Sequence, residues 1–424
     1  MNAGDAMERQ RGSTVPDGLR NWNEVGRSVL DRKRMSRERH QRLVASMVNH
    51  GLDALIVTYP PNVTYATGFV GTTADPSYCH MIPAVALVTA DGAAPHLFAP
   101  PGAEPPLEEL QVHPSCSIET ESGAAALAAA VRDLVGRPGV IGIDEMTGAL
   151  LEALPRLLEV DALADPSMAI VQARICKTPD EVECIYRAQL MNELAMYDVQ
   201  AALRPGLRQC DLSVLFLDRI CRLGTASVLD PIWQVTPRHR AGRPRSSNGE
   251  LPFPTPPSDR ILRRGDLLMV DTGIAYHGYA SDFGRTWIVG ESSVSGRDRG
   301  YFDAWCEVVS RVLEVLRPGV TGAELTAAAS LNGKAKPWLA HFYLAHGVGL
   351  ESAEMPLVGT DLGTDFDASL VMAPGMVLVL EPVIWEDGSG GYRGEEIVAV
   401  TADGYEVLSR YPYDPFHEGG AAWW

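Results

Sequence analysis

Two stretches of this chain repeat each other in the same order, and a duplication restricts the fold more than composition does. "LRPGLRQCDLS" at 203–213 matches "LRPGVTGAELT" at 316–326, and each closes a helical segment. Further on, "GDLLMVD" at 265–271 parallels "GMVLVLE" at 375–381. In both, a glycine opens an apolar strand that ends on a carboxylate, Asp271 in the first and Glu381 in the second. A second carboxylate follows each strand beside another apolar run: Asp282 in "YASDFGRTWIVG" and Glu395 in "RGEEIVAVT". A single short match would be coincidence, but two in order at similar spacing mark a duplication. Duplicated halves usually pack about a pseudo-two-fold axis, which would set the two carboxylate-bearing hairpins face to face.

The 424 residues suit two domains rather than one core. Residues 1–35 read as a polar arm. A helix is expected near 36–50, ended by Gly51, and "ALIVTY" reads as a buried strand broken by Pro60 and Pro61. "AVALVTADGAAPHLFA" holds two apolar runs around an Asp-Gly turn, a hairpin signal, and "GVIGIDEM" is a further short strand. Residues 36–172 are therefore an α/β domain and 173–424 a second domain, α+β in class overall. Near the boundary Thr178 can cap a helix with Pro179 at its first position and Glu181 three residues after the cap, and this helix runs to Leu203. Trp305, Val308, Val309, Val312, Leu313 and Leu316 share one face of the helix that closes at the second repeat.

Composition excludes some functions. A net charge of −18 argues against nucleic acid, whose phosphates need a basic surface. The seven cysteines are scattered without a Cys-x-x-Cys pair, as in a reducing compartment. No secretory pattern and no long apolar run occurs, so a cytoplasmic protein without a membrane span is expected.

Acidic residues avoid strand interiors unless they are paired or metal-bound. Four carboxylates converging across the pseudo-two-fold axis would repel strongly, and divalent cations remove that conflict. His346 in "HGVGLESAEMP" is the natural fifth ligand, with Gly347 and Gly349 allowing close backbone approach. An oxygen-rich set with one nitrogen suits two divalent ions, Mn, Fe, Co or Zn. Such pairs lie about 3.5–4 Å apart and hold a hydroxide, the expected nucleophile.

"DTGIAYHGYASDFGRT", "HGVGLESAEMP", the following Glu-Pro and "RGEEIVAVTADGYEVL" together resemble the pita-bread metallopeptidases, which include Xaa-Pro dipeptidase, aminopeptidase P and creatinase. The resemblance spans roughly 175–410, and "PPNVTYATGF" resembles the N-terminal domain of the prolidase and creatinase branch. It implies a C-terminal pita-bread domain behind a creatinase-like N-terminal α/β domain, and a homodimer. It implies Asp271, Asp282, His346, Glu381 and Glu395 as metal ligands, with Glu381 also shuttling a proton. The implied activity is dinuclear metal-dependent hydrolysis of an amide or peptide C–N bond, with a dipeptide or other small molecule as substrate.

The chain departs from the peptidase pattern at two places. Phe253 stands where the peptidases have the histidine of a Leu-Pro-His segment, and Ala353 stands where a second histidine precedes the motif's Glu. Losing one such donor costs about 2.7–4 kcal/mol of transition-state stabilisation. The alternative is therefore a non-peptidase member of the fold, a creatinase-like C–N hydrolase or a dimethylsulfoniopropionate lyase, with Glu351 the nearest candidate base. Replacement substrate contacts are sought at His239 in the Arg-rich "TPRHRAGRPRSS", at His277 and Tyr279 in the first hairpin, and at Arg393 beside Glu395; His341 reads as structural.

Overall fold

The computed structural model describes residues 26–71, 83–100, 110–136, 139–160, 163–225, 228–236, 258–290, 295–338, 342–386 and 390–411. Two compact units emerge, one spanning Asp31–Asp180 and the other formed by the segment before Asp31 together with Glu181 onward. His239, Phe253, His341 and the aromatic tail lie outside the described residues.

In the first unit, helix α1 (Arg32–Asn49) leads into β1 (Ala54–Val57) and α2 (Pro60–Thr67). The two prolines that break the strand open α2, where a missing N–H costs nothing. Strands β2 (Val85–Thr89) and β3 (His96–Ala99) pair antiparallel around the Asp91-Gly92 turn. After them come β4 (Gln111–Pro114), α3 (Glu121–Val135), β5 (Ile141–Ile143), α4 (Gly148–Leu158) and α5 (Ser167–Arg174). The sheet order is β4-β3-β2-β1-β5, with β1 parallel to β5 and β3 parallel to β4. Ala54, Ile56, Val85, Leu87, Phe98, Ile141 and Ile143 point one way and meet Leu127, Val131, Leu150 and Leu154 of α3 and α4. The central strands are buried on both faces, which explains their unbroken apolar runs.

The second unit contains the duplication. Helix α6 (Pro179–Ala202) and α7 (Gln209–Arg222) flank the first repeat; α8 (Gly296–Val315) and α9 (Gly322–Ala328) flank the second. The first copy carries β6 (Val228–Thr236), β7 (Leu267–Tyr276), β8 (Tyr279–Ala280) and β9 (Phe283–Ile288). The second carries β10 (Ala345–Gly347), β11 (Glu354–Val358), α10 (Thr364–Ser369), β12 (Val377–Leu380), β13 (Ile384–Glu386), β14 (Gly390–Tyr392), β15 (Glu396–Val400) and β16 (Tyr405–Val407).

Backbone hydrogen bonds show how closely the copies correspond. Gly206 N–H donates to Leu262 O, and Gly319 N–H to Met372 O. The return bonds run from Leu262 to Leu207 and from Met372 to Val320. Gly265 donates to Val289, and Gly375 to Val400, so each strand-opening glycine is tied to the end of its partner strand. Strand β7 lies between β6 and β9, and β12 lies between β10 and β15, all antiparallel. The repeat seen in the amino-acid string is therefore a repeat of backbone architecture. Among the described residues no helix is long and apolar enough to cross a membrane.

Candidate metal centre

Asp271 projects from β7 opposite Gly284 of β9, and Asp282 sits on the turn from β8 into β9. Glu381 immediately follows β12, and Glu395 immediately precedes β15. The two copies are stitched at this level. Glu395 N–H donates to Gly284 O at 3.1 Å. Arg393 N–H donates to Thr286 Oγ1 at 2.9 Å, and that hydroxyl donates to Arg393 O at 2.8 Å. Buried Arg285 donates from Nη1 to Glu395 O and from Nη2 to Tyr411 O. Gly284 has to be glycine here, because a Cβ would lie 2.5 Å from the Glu395 carboxyl carbon.

The side chains converge as a result. Asp271, Asp282 and Glu395 each offer a carboxylate oxygen, and these atoms lie within 4.8 Å of one another. His346 Nε2 is 3.1 Å from Glu381 Oε1 and 3.4 Å from Asp282 Oδ2. Its Nδ1 lies 2.9 Å from Gly347 O, which places a proton on Nδ1 and turns Nε2 toward the carboxylates, where it could offer an electron pair to a cation. Gly347 and Gly349 make their close approaches within their own turn, to Met355 O and to the Glu354 carboxylate, rather than toward the cluster.

Arg393 is the main positive charge of the cluster. Nη1 lies 2.7 Å from Asp271 Oδ2; Nη2 lies 3.0 Å from Glu381 Oε2 and 2.7 Å from Glu395 Oε1. Burial alone would raise the Glu381 carboxyl, but Arg393 and His346 outweigh it and hold the group down to about 2. Burial and the neighbouring Asp271 and Glu381 push Asp282 well above the carboxylate range. Burial and Asp282 do the same to Glu395 despite Arg393. Burial pulls the His346 imidazole down, while Glu381 and the Gly347 carbonyl raise it, with a net upward result.

These observations test whether the residues fit a divalent cation. Four carboxylates outnumber Arg393 by three charges. Glu395, 1% exposed, shares the one Arg393 guanidinium with Asp271 and Glu381, and its carboxylate has no other cation paired with it among the described residues. A buried carboxylate so short of countercharge is costly. The donor set is oxygen-rich with one imidazole nitrogen, which suits Mn, Fe, Co or Zn. The residues fit.

The remaining sequence candidates are placed as follows. Tyr279 is buried, and its hydroxyl donates to Glu181 Oε1 at 2.8 Å. His277 occupies the left-handed turn after β7, its ring against Tyr276. Glu351 is half-buried, and its carbonyl accepts from Gly349 N–H. Ala353 is exposed just before β11.

Sequence reasoning did not find the groups that grip the first copy from α6. Gln189 Oε1 accepts from Asp282 N–H at 3.2 Å, and Asn192 holds both Thr272 and Ser281 through its amide. Their signal is a run of amides and acids on a helix face where an apolar stripe is the norm. Tyr343 was also missed; its ring meets that of His346 edge-on, with centroids 5.4 Å apart.

Comparisons with known proteins agree with this architecture. Residues 183–402 match the model of metallopeptidase family M24, and 39–176 match the creatinase/prolidase N-terminal domain. An Xaa-Pro dipeptidase of Pyrococcus furiosus is 29% identical over 245 residues, covering 57% of this chain and 65% of that protein. A creatinase of a Bacillus species is 25% identical over 421 residues, 94% of this chain and 96% of that protein. The prolidase structure from Pyrococcus horikoshii superposes with a TM-score of 0.71 at 23% identity, covering 89% of this chain and 99% of that one. An Xaa-Pro dipeptidase structure from Bacillus anthracis gives 0.70 at 23% identity, with the same coverage. The fold is that of the prolidases, and the chain belongs to metallopeptidase family M24, with a creatinase/prolidase-type domain ahead of its catalytic unit.

Proposed function

We propose that this protein is a dinuclear metal-dependent hydrolase that cleaves an amide or peptide C–N bond in the manner of an Xaa-Pro dipeptidase. One observation carries the reading: Asp271, Asp282 and Glu395 converge within 4.8 Å, with the His346 Nε2 and Glu381 beside them. Asp271, Asp282, His346, Glu381 and Glu395 would hold the two ions, drawn from Mn, Fe, Co and Zn. Divalent ions so held acidify water and polarise a carbonyl at neutral pH. Two ions offset the three surplus negative charges and leave one positive charge, which suits an anionic nucleophile.

The protein's own groups supply the rest. Glu381 is held as a carboxylate and can take the proton that attacking water gives up, then return it to the leaving amine. Arg393 keeps Asp271, Glu381 and Glu395 in one orientation. The Nδ1–H bond to Gly347 O fixes the imidazole ring of His346. The test is turnover of Xaa-Pro dipeptides by protein loaded in turn with Mn, Fe, Co and Zn. Hydrolysis with at least one metal is the expected result, and none with any metal ends the reading.

A second reading has its own observation. The match to creatinase runs over nearly the whole of both chains, and the exposed Ala353 offers no donor where the peptidases have a histidine. In this reading the same centre cleaves a C–N bond in a small molecule. Creatine hydrolysis without dipeptide hydrolysis would establish it, and dimethyl sulfide released from dimethylsulfoniopropionate would move the protein to the lyases.

A further inference from the structure

We propose that the Tyr343 hydroxyl is the neutral donor that meets the substrate oxygen gaining negative charge at this centre. The inference rests on the hydrolase reading above and names the group that stands in for the missing histidines.

Position comes first. The 342–345 segment runs beside Glu381, whose N–H donates to Leu344 O at 3.1 Å. One residue earlier, the Tyr343 ring lies edge-on to His346 at 5.4 Å and 70°. Phe342 packs edge-on behind it at 6.5 Å. The phenol is within electrostatic reach of both Glu381 and Arg393. His346, Glu381 and Glu395 are almost fully buried, whereas Tyr343, whose ring meets that of His346, is half-buried.

Availability comes second. The Tyr343 hydroxyl has no hydrogen-bond partner among the described residues. Among the described residues, Arg393 Nε also lacks a partner but is buried, and the other polar groups nearby have partners of their own. Tyr279 donates to Glu181, and the Tyr276 hydroxyl faces Arg187 Nη1 at 3.5 Å. Both terminal nitrogens of Arg393 lie on carboxylates. Ala353 has nothing to donate. A phenol beside a cationic centre suits a developing oxyanion, because it donates one hydrogen bond without adding charge to the site.

The test compares full-length wild type with Tyr343→Phe, which removes one oxygen and keeps the ring. Three readouts are taken on metal-loaded protein: metal affinity by calorimetry, kcat and KM on the substrate the wild type cleaves, and the Kd for inorganic phosphate, a tetrahedral oxyanion probe. The expected result is unchanged metal affinity, a kcat about 100-fold lower with KM within about threefold, and weaker phosphate binding. Unchanged kcat overturns the assignment, and so does a loss confined to KM. Equal phosphate affinity in the two proteins, or none in the wild type, also overturns it. If the wild type cleaves no amide substrate, the hydrolase reading fails, and phosphate binding still decides the role of Tyr343.

Discussion

Helix α6 meets the first carboxylate pair with the amides of Gln189 and Asn192, whereas α8 backs the second pair with rings. Asn192 of α6 binds the carbonyl and hydroxyl of Thr272 and the hydroxyl of Ser281, the neighbours of Asp271 and Asp282. From α8, Phe302 and Trp305 pack on Tyr392, and Trp305 lies where a Cβ on Gly394 would fall 3.0 Å away. Those contacts place the backbone on both sides of Arg393. The nitrogen groups, His346 and Arg393, and Tyr343 all come from the second copy, while among the described residues the first supplies the carboxylates Asp271 and Asp282. A duplicated scaffold thus carries an unequal division of labour. The polar helix fixes the backbone beside the carboxylates by directed bonds, and the aromatic helix fixes it by shape.

The largest effect should come from Glu381, proposed to hold charge and to relay the proton. Glu381→Gln keeps the shape but removes the proton acceptor, and kcat should fall about 10²- to 10⁴-fold. A loss below about tenfold would show that the second copy does not supply the proton relay. Next in size is the grip of the polar helix. Asn192→Ala should weaken metal binding about 10- to 100-fold, as removal of orienting groups behind metal ligands does. Thr326→Ala is the control, because its hydroxyl bonds buried Asp367 at 3.2 Å and stands outside the site just described. If calorimetry finds both variants equally impaired in metal binding, general destabilisation is the cause and the contrast between the helices disappears.

How much of this was legible in the sequence depends on the cost of misplacing each residue. Asp271 and Glu381 stood out because a charge beside an apolar run is expensive to bury, and the duplication showed that this happens twice. Strand β7 nevertheless continues to Tyr276 and so carries Asp271 within the strand rather than at its end. The β2–β3 hairpin was legible because Asp91-Gly92 offers the positive φ that its turn uses. Strand β4 was not, since its residues are mostly exposed and carry no alternation. Gln189 and Asn192 stayed hidden because an amide on a helix reads as solvated until a partner strand is placed against it. Tyr343 stayed hidden for the opposite reason, since "HFYLAH" reads as core packing and only the fold turns its ring toward His346. The central place of Arg393 needed the two hairpins brought together, which no local pattern states.

The polar side of the comparison also predicts a dependence on pH. Glu193, one turn beyond Gln189 on α6, is buried, and burial raises its carboxyl above the ordinary value of 4.5, against the pull of Arg410 N–H and Arg285. Below that ordinary value both the folded and the unfolded chain keep the proton, so stability is at its full level. Above it the unfolded chain releases the proton freely while the folded one resists, and stability falls until pH passes the raised value. Denaturation midpoints of metal-free wild type and Glu193→Gln from about pH 4 to about pH 8 should converge at the acidic end. The Gln variant should be the more stable at the other end. A gap that stays constant across that range would remove Glu193 as its source.

The smallest effect tests the turns that open α7 and α9, where the cap position holds Arg208 in one copy and Thr321 in the other. In the second copy Thr321 Oγ1 accepts from Glu324 N–H at 3.2 Å, while the Glu324 carboxylate accepts from Thr321 N–H at 2.8 Å, a reciprocal capping box. In the first, Asp211 accepts from Arg208 N–H at 2.8 Å, but the guanidinium only donates, to the same carboxylate at 2.7 Å. Thr321→Ala should therefore cost about 1 kcal/mol. Arg208→Thr installs the missing acceptor, worth about 1 kcal/mol, and forfeits an exposed ion pair worth about 0–1 kcal/mol. Its net effect should lie between neutral and about 1 kcal/mol of stabilisation, read as a shift in denaturation midpoint. If Arg208→Thr destabilises as much as Thr321→Ala does, the two turns are equivalent and the asymmetry between the copies does not extend to their caps.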